Sequence, residues 1–147
     1  MAQSISSVFV HFVFSTKQRD ELILPELSSH LHKYIGGICR NHKSLLLAIG
    51  GMPDHVHLLV RLGREASQSS LMMHVKKDSS RFMKEGCRRF AWQDGFAAFS
   101  IGESQRERTI RYIENQERHH KKRSFQEEVR EFLEKYKSEY DPEWLWD

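Results

Sequence analysis

Two histidines one residue apart, His55 and His57, sit in the run Met52-Pro53-Asp54-His55-Val56-His57-Leu58-Leu59-Val60. Side chains along a strand alternate between faces, so Val56, Leu58 and Val60 fall on one side and both imidazoles on the other. Paired imidazoles on a stiff, β-branched strand can fill two adjacent positions around one metal ion. A His-x-His pair by itself is commonly structural or simply exposed. A distal segment, Thr109-Ile110-Arg111-Tyr112-Ile113-Glu114-Asn115-Gln116-Glu117, gives it a chemical setting. There Tyr112 and Gln116 are four residues apart and share one face of a helix. Two imidazoles, an amide oxygen and a phenol form a coherent set: a phenolic nucleophile beside a metal with three protein ligands and open positions.

The elements that must carry these groups are legible around them. Ser7 to Ser15 is rich in β-branched and aromatic residues and reads as a strand buried on both faces, with His11 within it as a hydrogen-bonded core or DNA-facing residue rather than a metal ligand. Pro25 opens a helix whose apolar stripe is Leu27, Leu31, Tyr34, Ile35 and Ile38, which places Tyr34 in the core. Ser44 to Ile49 is a second strand, Gly50 to Asp54 a turn, and His55 to Leu62 a third strand, pairing as an antiparallel hairpin. A helix follows from about 67 to 85, ended by Gly86, and then a short strand from Phe96 to Ile101. Gly102 reads as a hinge. Ser104 with Glu107 has the capping-box pattern for a helix over about 104–117, and Ser124 with Glu127 repeats it for an acidic helix over about 124–137, where Tyr136 is assigned to the core. The order is βαββαβ plus two helices. It predicts an α+β, ferredoxin-like sandwich with one antiparallel sheet, the third strand central, and the histidine pair on the sheet's open face under an added helix.

The 147 residues suit a single domain, here 1–147. With 39% hydrophobic and 29% charged residues the chain reads as globular rather than disordered. Two cysteines, Cys39 and Cys87, are too few for a disulfide framework and have no metal-ligand spacing, which points to a reducing compartment. No apolar run approaches the ~20 residues of a membrane span and the first residues lack a signal peptide's basic region, so a cytoplasmic location is expected. Charge is unevenly placed: residues 1–63 carry +2, residues 64–124 carry +6 and residues 125–147 carry −5. A basic body partly masked by an acidic tail suggests a polyanion partner, although solvated helix faces give the same pattern.

Together these features resemble the single-tyrosine HUH transposases of small insertion sequences that move as single-stranded DNA, including their REP-associated relatives. The likeness rests on Met-Pro-Asp-His-Val-His-Leu-Leu-Val at 52–60, Tyr-Ile-Glu-Asn-Gln at 112–116 and Phe-Ser-Thr-Lys at 14–17, and it spans essentially the whole chain. The resemblance implies that His55, His57 and Gln116 hold Mg2+ or Mn2+ and that Tyr112 is the nucleophile. It also implies a covalent 5′-phosphotyrosine intermediate, hairpin-bearing single-stranded DNA as partner, and a homodimer in which the tyrosine helix of one chain can complete the site of the other. No nucleotide cofactor is expected, because the phosphotyrosine link stores the energy of the broken bond; no Walker-type loop is present. Candidate DNA contacts are Lys76, Lys77, Arg81 and Lys84 on the second helix, Arg108 and Arg111 beside the tyrosine, and Lys121, Lys122 and Arg123 in a basic run. Trp92 is open to base stacking or to packing.

Other readings compete with this one. A non-catalytic nucleic-acid module on the same sandwich would want exposed aromatics on the central strands, where this chain has histidines. A metal hydrolase would need a carboxylate such as Asp54 or Glu114 near the pair, but Asp54 adjoins His55 and on a regular strand faces away; Tyr112 would then have no role. A domesticated relative that processes chromosomal palindromes would use the same chemistry as a mobile element's enzyme.

Overall fold

A computed structural model describes residues 2–116 and 124–140. The elements are β1 (Phe9–Ser15), α1 (Pro25–Asn41), β2 (Leu45–Met52), β3 (His55–Arg61), α2 (Gln68–Met83), β4 (Ala97–Ile101), α3 (Arg106–Glu114) and α4 (Phe125–Lys135), with single 3-10 turns at Lys17–Arg19 and Glu103–Gln105. The four strands form one antiparallel sheet in the order β2-β3-β1-β4, so the strand carrying His55 and His57 is central, as the sequence pattern requires. The fold is the expected α+β sandwich.

Alternation along β1 and β3 divides the sheet into two unlike faces. Phe12, Phe14, Val56, Leu58 and Val60 point into the main apolar core, closed by Leu31 and Ile35 of α1 and by Leu71, Met72 and Val75 of α2. The alternate residues, His11, His55 and His57 among them, point the other way and are covered by α3 and α4. Ile113 of α3 packs with Phe9, Leu59 and Ile101, and Phe125, Val129 and Leu133 of α4 pack on Val13 and Phe99. Gly50, opposite His57 in the β2–β3 register, permits this cover: a Cβ there would lie 2.1 Å from the Ile113 carbonyl oxygen. Any larger residue would lift α3, and Tyr112 with it, off the sheet.

Several expectations need correction. β2 runs on through Gly50, Gly51 and Met52, so the hairpin turn is only Pro53-Asp54; cross-strand pairing with Val56 and His57 overrides the turn preference of the glycines. Tyr34 is not core: it is 40% exposed and stacks flat on Phe82 at 4.4 Å. Tyr136 is only half-buried, stacked on Phe99 at 4.9 Å. α2 ends at Met83, ahead of Gly86. No Ser104–Glu107 box forms; instead the Gln105 side chain accepts from the Gly102 N–H (3.1 Å), and the helix starts at Arg106. The Ser124 cap on α4 does form, with the Glu127 N–H donating to Ser124 Oγ (3.3 Å). No helix among the described residues is long and apolar enough to cross a membrane.

Candidate active site and metal centre

The polar face of the sheet gathers the residues that the sequence singles out, from one chain. His55 and His57 are fully buried, with ring centroids 5.2 Å apart. Gln116, just past the end of α3, brings its Oε1 to 3.2 Å from His55 Nε2. Tyr112, one turn earlier, places its ring 5.8 Å from that of His57. The i, i+4 spacing on α3 thus delivers amide and phenol to the same spot, held there by the burial of Ile113 between them.

A residue outside the expected set lies at the centre. Glu128 of α4, with no exposure, sets Oε1 2.7 Å from His57 Nε2 and 3.7 Å from His55 Nε2. Its Oε2 accepts a hydrogen bond from the Tyr112 hydroxyl and lies 3.4 Å from Gln116 Nε2. A buried carboxylate is tolerated only with such partners. The signal was present in the sequence: Glu128 stands inside the apolar stripe Phe125, Val129, Phe132 and Leu133, where a solvated acid has no place.

Two further residues fix the imidazoles from behind. Asp54 does not face away, as a regular strand would have it; it lies in the turn, and its Oδ1 accepts from His55 Nδ1–H at 2.7 Å. His11 on β1 shares a 2.9 Å hydrogen bond with His57 Nδ1, which bears out its reading as a hydrogen-bonded core residue. Burial, reinforced by neighbouring His57, pushes the His11 imidazole down to about 3, so it stays neutral. With both Nδ1 atoms engaged, the two Nε2 atoms are the ones turned toward Gln116 and Glu128. Donor atoms of His55, His57 and Glu128 all lie within 4.8 Å of one another. Two imidazole nitrogens with carboxylate and amide oxygens form a mixed donor set of the kind that holds a divalent metal ion. A cleft of about 230 Å³ opens beside the phenol, lined by Arg108, Tyr112, Glu128, Phe132 and Tyr136, and gives access from solvent.

The candidate DNA contacts are scattered. Arg108 lines the cleft, and Arg111 is exposed on α3. Lys77 and Arg81 on α2, and Lys84 at its C-cap, are exposed across the sheet from the histidines. Lys76 is engaged within the fold: its Nζ donates to the Gln93 carbonyl (3.0 Å) and to that of Gly95 and sits over the Phe14 ring, and burial pushes its ammonium down to about 8. Trp92 is a packing residue, 8% exposed, its indole N–H donating to Ser79 Oγ (3.0 Å). Lys121, Lys122 and Arg123, and the terminal Trp144 and Trp146, lie outside the described residues.

The structure is similar to a crystal structure of a Deinococcus radiodurans R1 protein assigned as a transposase, with TM-score 0.64 and 22% identity over 79% of this chain and 95% of that one. It is also similar to a REP-associated tyrosine transposase bound to a REP hairpin, with TM-score 0.59 and 20% identity over 77% of this chain and 68% of that one. At these identities the likeness speaks for the fold alone. Comparison with curated proteins gives no match. The family model described as "Transposase IS200 like" matches residues 4–116, from the segment before β1 through Gln116, and the chain belongs to that family.

Proposed function

We propose that this transposase cuts and rejoins one strand of DNA through a covalent bond between Tyr112 and a 5′-phosphate, with a divalent cation held by His55, His57 and Gln116. Glu128 adds a fourth donor in this reading. The observation that carries it is the convergence of the phenol, the two Nε2 atoms and two side-chain oxygens in one buried pocket beside an open cleft. When bound there, Mg2+ or Mn2+ would act as a Lewis acid toward the scissile phosphate.

The chain's own residues do the rest. Tyr112 is protonated near neutral pH in the absence of help, since a phenol titrates near ~10. Glu128 Oε2 already accepts the hydrogen bond of that hydroxyl and is the atom placed to receive its proton. The phenolic oxygen then bonds to phosphorus, the bond from phosphorus to the 3′-oxygen breaks, and the 3′-oxygen leaves with a proton from solvent. Glu128 returns its proton to solvent, so charge and atoms balance. Attack by a 3′-hydroxyl on the phosphotyrosine reverses the chemistry and joins a new end without a nucleotide cofactor. Arg108 in the cleft offers charge to the incoming backbone. His11 and Asp54 position the two imidazoles.

In this reading one chain supplies all these groups. Pairing into a homodimer is a separate expectation, read from sedimentation or light scattering. The substrate class, single-stranded DNA beside a hairpin, follows the solved relative whose bound partner is a REP hairpin. Incubation with Mn2+ or Mg2+ and labelled hairpin DNA should give a denaturant-resistant protein–DNA adduct, lost with chelator and in Tyr112→Phe. Cutting retained by Tyr112→Phe would favour a water-activating hydrolase, and binding without cutting a passive module.

A further inference from the structure

The cleft beside Tyr112 runs between two helices. α3 builds one wall with Gln105, Thr109 and Tyr112, and α4 builds the other with Phe132 and Tyr136. Residues three or four apart share a helix face, which aligns each wall. The floor is the sheet, with the buried His11 ring and Ile101. Gln105 lies seven residues before Tyr112. The cleft therefore reaches roughly 10 Å along α3 from the phenol. It leads away from the metal ligands, since Gln116 lies one turn beyond Tyr112 in the other direction.

Size, surface and charge narrow the occupant. At about 230 Å³ the cleft is smaller than the roughly 300–1,000 Å³ of pockets that take drug-sized ligands, and it suits one flat ring system. Phe132 stands perpendicular to both His11 (ring centroids 5.2 Å apart) and Tyr112 (5.6 Å). Phe132 and Tyr136 are both half-buried, so aromatic surface remains open to a guest. A phosphate does not suit the interior, because the buried Glu128 carboxylate stands at its inner end. The exposed edge is positive, with Arg108 and Lys135 against Glu131, and there a phosphate belongs. Gln105 keeps a donor for the guest. Thr109 Oγ1 donates to the Gln105 carbonyl (2.8 Å), and Gln105 Oε1 accepts from the Gly102 N–H (3.1 Å). The side-chain oxygen is thereby committed and the amide N–H groups are left.

We propose that this cleft seats one unpaired nucleobase, that of the nucleotide whose 5′-phosphate bonds to Tyr112, and that Gln105 donates a hydrogen bond to it. The proposal rests on the single-strand cleavage reading above and adds which base the chain itself holds. The side of the cut follows from the displacement. Attacking and leaving oxygens stand in line across phosphorus, so the 3′-oxygen departs on the side away from the phenol. The nucleotide that keeps the phosphate is joined through its 5′-oxygen, off that line, and its base folds back beside the phenol. It stays seated in the covalent intermediate, so the same base is read in cutting and in rejoining.

The test uses hairpin substrates in which the nucleotide immediately 3′ of the mapped cut is intact or abasic. Wild type should cut the abasic substrate at least about tenfold more slowly in kcat/KM, while an abasic site immediately 5′ of the cut should cost much less. Gln105→Glu keeps the oxygen that accepts from Gly102 and removes the donor. Its loss on the intact substrate should exceed its loss on the abasic one about tenfold, the worth of one hydrogen bond. A structural role lowers both alike. Equal losses therefore overturn the proposal, and so does an abasic site that costs nothing. A second arm needs no cutting. With Tyr112→Phe protein, 2-aminopurine stepped through the unpaired strand should change fluorescence at one position far more than at its neighbours; a uniform response overturns the proposal. Failure of the Tyr112 reading looks different, as cutting retained by Tyr112→Phe or as no adduct in wild type.

Discussion

The two faces of the sheet are made by the same strands, one residue out of phase, and they do opposite work. On the α1/α2 face every buried position of β1 and β3 is apolar, and Phe12, Phe14, Leu58 and Val60 are fully or almost fully excluded from water. On the α3/α4 face the same strands bury three histidines, which with Glu128 and Gln116 are held by specific hydrogen bonds under thin apolar caps. The first face supplies stability that tolerates rough complementarity; the second gives up apolar burial to keep donors and acceptors at fixed positions. The sheet anchors a site that could not hold itself together.

That contrast can be broken by substitution, and the effects should fall in a definite order. Phe12→Ala, on the dry face, should cost about 3–5 kcal/mol in denaturant unfolding through lost transfer energy and a cavity. Metal affinity per folded molecule should be preserved. Asp54→Asn, on the polar face, should reverse this pattern: fold stability changes little, but Mn2+ affinity measured by calorimetry falls roughly 10–100-fold as the carboxylate that orients His55 and raises its basicity becomes a neutral amide.

A third test uses pH. His11 titrates at about 3 in the folded chain because burial disfavours its cation, against an ordinary 6.5 when unfolded. Between those values the unfolded state binds the extra proton, so stability is fully present above 6.5 and is lost as pH falls. The loss should be about 2 kcal/mol from pH 6.5 to pH 5. The difference between the wild-type and His11→Gln stability curves should show that slope. The smallest effect should come from the cover: Ser124→Ala removes the cap of α4 and should cost about 1 kcal/mol, read as faster amide exchange in α4 while α1 and α2 are unchanged.

Much of this architecture was legible before any coordinates because alternation in β1 and β3 and the stripes of α1 and α4 carry strong periods. The His55/His57 pair and the Tyr112/Gln116 pair follow from the same two periods. What escaped was set by contacts distant in sequence. Glu128 stands out as an acid on the apolar stripe of α4, but what it meets there emerges only when α4 lies over the histidines. Asp54 bonds to its neighbour only because the hairpin turn is three residues tighter than Gly50-Gly51 suggests. Lys76 looks like a free cation on α2 until the 93–95 loop carbonyls close on it. The Ser104 box fails because Gln105 reaches the Gly102 N–H first.

The central claim is a bond between residue 112 and DNA. Wild-type protein should be incubated with Mn2+ and a single-stranded substrate bearing a hairpin, digested with protease and nuclease, and the peptides mapped by mass spectrometry. The account predicts a nucleotide phosphate on Tyr112, absent with chelator and absent from His57→Ala. Cleaved DNA with an unmodified Tyr112 peptide, or the adduct on another residue, would contradict it.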